Sequence, residues 1–463
     1  MHNKEQTYYD LGTQCSLTAG QNKSVYFIGI GGIGMSAIAR YFAAKGYDVS
    51  GYDKTPTELT DALISEGIKI HFKDDVNLLD KEAEFVVYTP AVPKEHRELM
   101  YYKDNKYSIK KRSEVLGNIM WDYKSICVAG THGKTTTSSM IAHILRDSEF
   151  GCTAFLGGIA TNYNSNFWGG FSDYAVAEAD EYDRSFLKLY PDIAVITSME
   201  PDHLDIYGNE KNMQDAFIEF SKNVKRNGLL ICSYHLPRLN EIDGNVLTYG
   251  INTNADCKPE NIVVENGTYK FDFVSKSKKI KDIQLNMGGR HNVENATAAI
   301  TVALQLGIDE GKIKNAIKNF KGVKRRFQFI VKTSEKVFID DYAHHPGELN
   351  ALLAGAKDLY PNKKITIVFQ PHLYSRTKDF AKQFGESLSA ADEIILLPIY
   401  PARELPIENI SSETIAGYIQ KPARIIEKND LVNEIKKMNP EVLITAGAGD
   451  IDKLVEPIKN IFS

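Results

Sequence analysis

Two glycine-rich loops, each placed between a β-branched strand and a helical pattern, constrain the fold most strongly. The first loop, GIGGIG, overlaps the end of the strand SVYFIGI and precedes the helical stretch MSAIARYFAAKG. The second, GTHGKTTT, follows the strand SICVAG and opens another helix. A strand, a tight glycine turn and a helix together form an anion-binding unit, because backbone N–H groups and the helix N-terminus can approach a phosphate there. The sequence therefore predicts an α/β protein with parallel sheets.

Strand and helix patterns continue to alternate along most of the chain, which favours three successive α/β units. Residues 1–21 are polar and lack periodicity, so we expect a loosely structured leader. We place the three domains at 22–121, 122–324 and 325–463. The stretch CKPENIVVENGTYKFDFVSKSKKIKDIQLNM contains short strands of alternating polarity separated by polar turns. This pattern predicts a small antiparallel sheet within the central domain. The basic run KGVKRRF marks the last junction.

Composition excludes several classes of protein. The 463 residues are 43% hydrophobic and 25% charged, which excludes a disordered or low-complexity chain. The net charge of −5 argues against a broad nucleic-acid surface. The five cysteines form no CxxC pair, which favours a reducing compartment. The apolar stretch around the first loop is interrupted by glycines and Arg40, so it does not predict a membrane span. We therefore expect a cytoplasmic protein that binds neither nucleic acid nor membrane.

The first loop has the spacing of a diphosphate-binding turn. Gly29, Gly31 and Gly34 follow the G-x-G-x-x-G pattern, and Asp53 ends the next strand about 20 residues later. This pattern predicts a bound diphosphate, but it does not separate NAD from a nucleotide sugar. The alternative is a tight turn that binds no ligand.

The second loop is a shortened phosphate-binding loop. Gly130, Gly133, Lys134 and Thr135 lie between strand and helix, with the first glycine two residues closer than in G-x4-G-K-[ST]. Lys134 can neutralise the β- and γ-phosphates of a nucleotide, and the hydroxyl of Thr135 can bind Mg²⁺. The alternative is a lysine that merely begins an amphipathic helix.

Two acidic clusters follow strands of the central domain, in AEADEYDRSF and TSMEPDHLDIYG. Because ligands of open α/β sheets lie at the carboxyl ends of the strands, both clusters are expected beside the phosphate loop. They favour a metal site that uses one glutamate and His203. Capping of the following helices is the alternative role for each acid.

Several motifs in a fixed order resemble the Mur ligases of peptidoglycan synthesis. They are GTHGKTTT, EADEYDRSFL, SMEPDHLDIY, GRHNVENATAA, RRF, DDYAHHPGE and FQPHLYSRT, and the resemblance covers about residues 22–463. It implies a Rossmann-like N-terminal domain that binds a UDP-sugar. It also implies a central P-loop ATPase domain with a small antiparallel sheet, and a Rossmann-like C-terminal domain that binds the amino acid and closes on ATP.

The resemblance also implies an activity. Within the family, the opening IGIGGIGMSAIA is most similar to members that join L-alanine to the carboxylate of UDP-N-acetylmuramate. Such an enzyme uses ATP and Mg²⁺, forms an acyl phosphate, and releases ADP and phosphate. The expected partners are these small molecules alone, with the chain a monomer or a homodimer.

Individual roles follow from the matching motif positions. Residues expected to bind ATP are Gly130, Thr131, His132, Gly133, Lys134, Thr135, Thr136, His291, Asn292 and Asn295. Metal ligands are expected at Thr135, Glu178 and His203. Residues expected to bind the UDP-sugar are Gly29, Gly31, Gly32, Gly34 and Asp53. L-Alanine is assigned to His344, His372 and Arg376. Catalytic roles are assigned to Lys134, Glu178, His203, Arg326 and Asp341.

The chain departs from the family pattern at two positions. Leu373 stands where many relatives carry a basic residue, and Asp452 stands where glycine is frequent. Two other functions compete with the ligase: an NAD-dependent oxidoreductase, which rests only on the first loop and Asp53, and a non-catalytic nucleotide-binding switch. ATP hydrolysis that requires both UDP-N-acetylmuramate and L-alanine would separate the three.

Overall fold

A computed structural model describes residues 23–402 and 404–462. The leader predicted at 1–21, with Cys15, and the first residue of the predicted N-terminal domain lie outside this part of the chain. The described residues form two compact units. The first contains the chain up to Lys258 together with Thr297–Ala316, and the second contains Pro259–Ala296 and the residues from Ile317 onward. The domain boundaries at 121/122 and 324/325 stay predictions.

The first unit begins with a five-stranded parallel sheet of order β3-β2-β1-β4-β5. Its strands are β1 (Ser24–Ile28), β2 (Asp48–Tyr52), β3 (Lys69–His71), β4 (Phe85–Tyr88) and β5 (Ile109–Lys111). Its helices are α1 (Ile33–Ala44), α2 (Glu58–Ser65), α3 (Arg97–Asp104) and α4 (Arg112–Trp121). The full burial of β1 explains why the four residues after Ser24, VYFI, are apolar in succession rather than alternating.

A second sheet contributes seven strands to the first unit, in the order β12-β11-β10-β6-β9-β7-β8, and among them only the β7–β8 pair is antiparallel. Its strands are β6 (Lys124–Ala129), β7 (Thr153–Ala160), β8 (Ser165–Trp168), β9 (Tyr174–Glu178), β10 (Ile193–Ile196), β11 (Leu229–Ser233) and β12 (Val246–Tyr249). Its helices are α5 (Lys134–Asp147), α6 (Leu204–Tyr207), α7 (Glu210–Lys222), α8 (Arg290–Gln305) and α9 (Glu310–Asn319), and the last two belong partly to the second unit. Of these strands, β7, β8 and β12 were not predicted from the sequence.

A buried polar network fixes α1 against β8. Arg40, only 8% exposed, donates two hydrogen bonds of 2.7 Å to the carboxylate of Glu66 and a third to the Asn166 side-chain oxygen. The Asn166 amide donates to the Ile33 carbonyl at 2.6 Å and to Ser36 Oγ at 2.9 Å. Buried polar groups are stable only when paired, so these contacts hold the two sheets of the first unit in one arrangement.

The second unit contains the small antiparallel sheet and a six-stranded sheet. The former includes β13 (Cys257–Glu265), β14 (Thr268–Ser275) and β15 (Lys279–Leu285), and the antiparallel pairing of β14 with β15 confirms the predicted pattern. The larger sheet has the order β16-β17-β21-β18-β19-β20. Its strands are β16 (Gln328–Lys332), β17 (Val337–Asp341), β18 (Ile365–Phe369), β19 (Glu393–Leu396), β20 (Ala423–Ile425) and β21 (Val442–Ala446). Its helices are α10 (Pro346–Leu359), α11 (Tyr374–Leu388), α12 (Ser412–Ala416), α13 (Lys428–Met438) and α14 (Val455–Phe462).

The edge strand β16 is a difference from the predicted pattern. It pairs antiparallel with β17, with a register shift between Phe329 and Val331, while the other pairs of this sheet are parallel. Its first four residues are only partly buried, and its apolar run, residues 329–331, is three residues long, shorter than the about four to eight typical of a buried strand. Among residues 23–402 and 404–462, none of the helices has the length and apolar character needed to cross a bilayer.

Candidate active site

The first glycine loop is shaped by contacts with the end of β2. The N–H groups of Gly29 and Ile30 both donate to the carbonyl of Tyr52, at 2.8 and 3.0 Å. The N–H of Gly31 donates to Asp53 Oδ2 at 2.7 Å. The Asp53 side chain therefore holds the loop by accepting a backbone N–H from it. The predicted contact between Asp53 and a substrate stays a prediction.

Glycine is required in this loop for space as well as for conformation. Gly29 has φ +86°, in the left-handed region that favours glycine. A Cβ at Gly31 would lie 2.7 Å from Thr60 Cγ2, and a Cβ at Gly34 would lie 2.6 Å from Arg112 Nη1. Gly32 immediately precedes α1, so the loop leads directly into the helix N-terminus, as the motif predicts.

The phosphate loop of the second sheet is supported by the end of β10. Gly130 has φ +137°, and a Cβ there would lie 2.0 Å from Thr197 Oγ1. Thr131 Oγ1 and Ser198 Oγ are 2.9 Å apart, and the N–H of His132 donates to Ser198 Oγ at 2.8 Å. These contacts hold the shortened loop against the end of β10.

The residues that follow the loop form the start of α5. Gly133 precedes the helix with φ +81°, and Lys134, Thr135 and Thr136 are its first three residues. Thr136 is 7% exposed, which makes it a packing residue in this conformation. The lysine and Thr135 thus lie at the positive end of the helix dipole, where phosphate binding is most favourable.

Lys134 is held by a buried carboxylate that the sequence analysis did not select. Its Nζ donates to the Gly130 carbonyl at 2.6 Å and lies 2.7 Å from Glu181 Oε2, and the Glu181 side chain is 1% exposed. The sequence motif AEADEYD offered four acids in seven residues, and spacing alone could not tell which one turns toward the lysine.

Glu178 ends β9 beside the same loop. Burial raises the pKa of its carboxyl, whereas the Lys134 ammonium and a hydrogen bond with Thr135 lower it. Its Oε2 is inaccessible to solvent and has no hydrogen-bond partner among the described residues. A Cβ at Gly157 on β7 would lie 2.0 Å from that oxygen, so only glycine leaves room for it. An unpaired buried carboxylate oxygen beside a phosphate loop fits a cation ligand.

His203 joins a different group of donors. Its Nε2 lies 3.9 Å from Glu181 Oε1 and 3.8 Å from Asp202 Oδ2. One ligand atom from each of these three residues lies within 4.8 Å of the others, and His203 has φ +50°. Two carboxylates and an imidazole suit a divalent cation. The structure therefore brings Thr135 and Glu178 together, and groups His203 with Glu181 and Asp202.

In the second unit, Asp341 ends β17 and holds the preceding junction. Its Oδ2 accepts the N–H of Phe327 at 2.6 Å, and its Oδ1 accepts the N–H of Ala343 at 2.7 Å. Burial raises the pKa of Asp341 to about 6, although the nearby Arg326 lowers it. Asp341 has a structural role in this conformation, and its predicted role toward ATP stays a prediction.

The two arginines of the junction differ in their partners. Arg325 lies 3.4 Å from Asp340, 3.5 Å from Asp452, and donates to the carbonyl of Gly447. Both guanidinium groups lie over the ring of Tyr342, at 5.1 Å for Arg325 and 5.7 Å for Arg326, so the ion pairs with Asp340 and Asp452 are what distinguish Arg325. Arg325 is therefore the structural arginine, which leaves Arg326 as the better candidate for binding a phosphate. The unusual Asp452 acquires a physical role as a partner of Arg325.

The helix α8 begins at the predicted HNVENA motif. The Asn292 amide donates to the Gly288 carbonyl at 2.7 Å, and the Asn295 amide donates to Asn292 Oδ1 at 3.0 Å. His291 lies against Gly289, where a Cβ would approach its Cε1 to 2.3 Å. These contacts fix the start of the helix, and the predicted role in binding ATP stays a prediction.

The residues assigned to L-alanine lie together at the carboxyl ends of β17 and β18. The rings of His344 and His372 are 6.4 Å apart, and Arg376 Nη1 lies 3.3 Å from His372 Nδ1. Burial lowers the pKa of both histidines, and Arg376 lowers both further. Neutral imidazoles beside a guanidinium form a polar, positively charged site, which suits a small carboxylate. Leu373, with φ +71°, makes the turn into α11.

Comparisons with known proteins identify the family of the chain. Three family models match the chain: the Mur ligase family catalytic domain at residues 24–124, the Mur ligase middle domain at 128–303, and the Mur ligase glutamate ligase domain at 325–449. UDP-N-acetylmuramate–L-alanine ligase of Flavobacterium psychrophilum is 49% identical over 448 residues, covering 96% of this chain and 99% of the relative. The ligase of the same name from Cytophaga hutchinsonii is 47% identical over 453 residues, covering 94% and 96%.

Solved structures show the same fold. The crystal structure of UDP-N-acetylmuramate-alanine ligase from Thermotoga maritima matches with a TM-score of 0.81 at 29% identity, covering 94% of this chain and 98% of that one. A murein peptide ligase from Psychrobacter arcticus matches with a TM-score of 0.68 at 22% identity, covering 95% and 98%. Both the resemblance inferred from the motifs and the predicted fold class are thereby confirmed, and the chain belongs to the Mur ligase family.

Proposed function

We propose that this protein joins L-alanine to the carboxylate of UDP-N-acetylmuramate, with hydrolysis of ATP to ADP and phosphate, in the synthesis of peptidoglycan precursors. The observation that carries the proposal is the shortened phosphate loop whose Lys134 lies between Gly130 and the carboxylate of Glu181. Sequence identity of 47% and 49% to two UDP-N-acetylmuramate–L-alanine ligases, over nearly their full length, supports the substrate pair. Family membership supports ATP as the nucleotide.

The first step transfers a phosphoryl group. A carboxylate oxygen of UDP-N-acetylmuramate attacks the γ-phosphorus of ATP, the bond to the β-bridging oxygen breaks, and ADP leaves. Lys134 and the N–H groups at the start of α5 stabilise charge on the transferring group, a contribution typical of such sites. Arg326 is proposed to supply a further positive charge to the phosphates.

Mg²⁺ is the metal proposed for this site. Thr135, Glu178 and the group of His203, Glu181 and Asp202 would hold it, and it would offset the charge of the phosphate oxygens when bound. The unpaired Oε2 of Glu178 supports this assignment. The chain's own contribution is to hold these donors close together near Lys134.

The second step forms the amide. The amine of L-alanine attacks the carbonyl carbon of the acyl phosphate, and inorganic phosphate leaves. Arg376, with His372 and His344 beside it, is proposed to bind the alanine carboxylate and orient the amine. Because the two imidazoles are neutral near pH 7, the guanidinium is the cation that binds this carboxylate.

The remaining assignments are also proposals: a cytoplasmic enzyme, monomeric or homodimeric, that acts on small molecules. An NAD-dependent oxidoreductase accounts for the first loop alone and leaves the phosphate loop and the alanine site without a role. A nucleotide-binding switch would bind or hydrolyse ATP whether or not UDP-N-acetylmuramate and L-alanine were present.

The test is an ATPase assay with the full chain. We expect ADP release only when UDP-N-acetylmuramate and L-alanine are both present, with one amide formed for each ADP. With ¹⁸O in the substrate carboxylate, the label should appear in the released phosphate. Label that remains entirely in the amide would exclude the acyl phosphate, and turnover that ignores either substrate would exclude the ligase.

A further inference from the structure

Arg112, a residue outside the predicted sites, connects the first glycine loop with the acidic loop after β9. It is the first residue of α4, and its side chain is 19% exposed. Its Nη2 donates to Asp180 Oδ2 at 3.0 Å. Its Nη1 lies so close to the start of α1 that a Cβ at Gly34 would be only 2.6 Å away. One guanidinium therefore contacts both loops at once.

The position of the guanidinium suits an anion. The N–H groups of Gly29, Ile30 and Gly31 are already bonded to Tyr52 and Asp53. The N–H of Gly32 donates to the Gly29 carbonyl at 3.2 Å. The N–H groups that follow belong to the first turn of α1, which begins at Ile33, where they have no carbonyl partner within the helix. An anion at that turn would meet these N–H groups on one side and Arg112 on the other, and Arg can bind phosphate bidentately.

The surrounding charges explain why a cation is needed there. The Asp53 carboxylate lies against the loop and the Asp180 carboxylate lies on Arg112, and both would repel a phosphate bound between them. The same cavity wall that contains Arg112 also contains Glu178. Without the guanidinium, an anion at the helix N-terminus would have the Asp53 carboxylate beside it and would lack the Arg112 charge that offsets it, an unfavourable field for a group with two negative charges.

We propose that Arg112 binds the diphosphate of the UDP-sugar and that Asp180 competes with this diphosphate for the same guanidinium. The inference rests on the proposed function, since that function supplies the UDP-sugar. It assigns Arg112 a binding role rather than that of a structural bridge between the two loops. A structural bridge would need Asp180 as the partner of Arg112, whereas a diphosphate-binding Arg112 would bind its ligand as well or better without Asp180. This difference makes the proposal testable.

The experiment measures the dissociation constant of UDP-N-acetylmuramate by calorimetry in the full-length protein. Arg112→Gln should weaken binding about 10- to 100-fold, as expected for the loss of a charge-assisted contact. Asp180→Asn should leave binding unchanged or tighten it a few-fold, because a competitor for the guanidinium is removed. A structural bridge predicts equal weakening in both variants, and that result would overturn the proposal, as would wild-type affinity in Arg112→Gln.

Lys111→Gln is the matched control. Lys111 precedes Arg112 and forms an ion pair of 3.4 Å with Asp183 of the same acidic loop, and its side chain is 44% exposed, against 19% for Arg112. The variant removes an equal charge and a neighbouring bridge between the same segments. We expect affinity within about twofold of wild type. Weakening equal to that of Arg112→Gln would show a general charge effect and overturn the assignment.

A second ligand separates the diphosphate from the lactyl carboxylate. UDP-N-acetylglucosamine carries the diphosphate but lacks that carboxylate, so Arg112→Gln should weaken both ligands by a similar factor. A loss confined to UDP-N-acetylmuramate would mean that Arg112 binds the carboxylate, against the proposal. If the wild-type protein bound neither ligand, the proposed function itself would fail, which distinguishes the two failures.

Discussion

The Nζ of Lys134 lies 2.7 Å from Glu181 Oε2, although the Glu181 side chain is only 1% exposed. A buried carboxylate of this kind requires a compensating charge, and the phosphate-loop lysine provides it. The same carboxylate lies 3.9 Å from His203. Glu181 thus connects the residue that should bind phosphate with those that should bind metal, which makes the pair the centre of the proposed site.

The first prediction concerns this ion pair. Lys134→Ala should abolish ligation and leave UDP-N-acetylmuramate binding nearly intact, because the lysine acts on the phosphates of ATP. It should also lower the free energy of unfolding by about 2–4 kcal/mol, since it leaves Glu181 buried without its cation. Urea unfolding and an ADP-release assay measure the two effects.

The control for that variant is the double substitution Lys134→Ala/Glu181→Gln. It should recover much of the stability, because no uncompensated charge remains, while activity stays absent. Near-normal turnover in Lys134→Ala would contradict the assignment of the phosphate loop.

The second prediction concerns the metal. Glu178→Gln and His203→Ala should each raise the Mg²⁺ concentration for half-maximal activity about tenfold or more and lower kcat, as loss of a ligand does. Direct titration with Mn²⁺, followed by electron paramagnetic resonance, should show weaker binding without any turnover. If both titrations match wild type, these residues have capping or packing roles instead.

The third prediction concerns the amino-acid site. Arg376→Ala should raise the KM for L-alanine by about 10- to 150-fold, the loss expected for a hydrogen bond between charged groups. The KM for UDP-N-acetylmuramate should change little, because that ligand is assigned to the first glycine loop. Steady-state kinetics with each substrate varied in turn provide the measurement. Equal weakening of all three substrates would refute the assignment to alanine.

The fourth prediction concerns pH. Glu98 is fully buried, with Oε2 accepting the Tyr26 hydroxyl at 2.7 Å, and burial raises its pKa to about 7. The folded state therefore holds a proton that the unfolded chain loses near pH 4.5, so this group makes stability fall as pH rises from about 4.5 to about 7. The free energy of unfolding of Glu98→Gln, relative to that of the wild type, should therefore rise by about 2–3 kcal/mol between pH 4 and pH 8.

The Gln side chain can retain one accepting contact, and the Tyr26 hydroxyl keeps His71 Nε2 within 2.7 Å as a second partner. Chemical unfolding at several pH values gives the difference directly. Glu84→Gln, whose side chain is 44% exposed, is the control and should show no such trend. A pH-independent difference for Glu98→Gln would rule out titration of this carboxyl.

The elements that position the site could be predicted because their signals are local. The glycine loops, the buried strands and the helix starts depend on residues adjacent in sequence, such as Gly29 with its φ of +86°. The partial exposure of β16 removed the pattern that identifies a strand. The antiparallel pair β7 and β8 was missed because no strand was recognised between the phosphate-loop helix and β9.

The choice among neighbouring residues of one type required the structure. Glu178 and Glu181 differ by three positions, yet one faces Gly157 and the other pairs with Lys134. Arg325 and Arg326 are adjacent, yet only the former pairs with Asp340. Such differences depend on which segment, distant in sequence, packs against each side chain. Neither the hydrophobic periodicity nor the spacing of motifs in the sequence contains that information.

The contact between Arg40 and Asn166 has a consequence for how the chain folds. Asn166 lies on β8, more than a hundred residues after α1, and Tyr41 beside Arg40 also packs 5.5 Å from the ring of Phe155. In a fragment that ended after α4, the guanidinium of Arg40 would lose Asn166 as a partner, and the ring of Tyr41 would lose its contact with Phe155 and be exposed to water. The two sheets of the first unit should consequently melt in a single cooperative transition, and the N-terminal sheet should be a poor candidate for expression by itself.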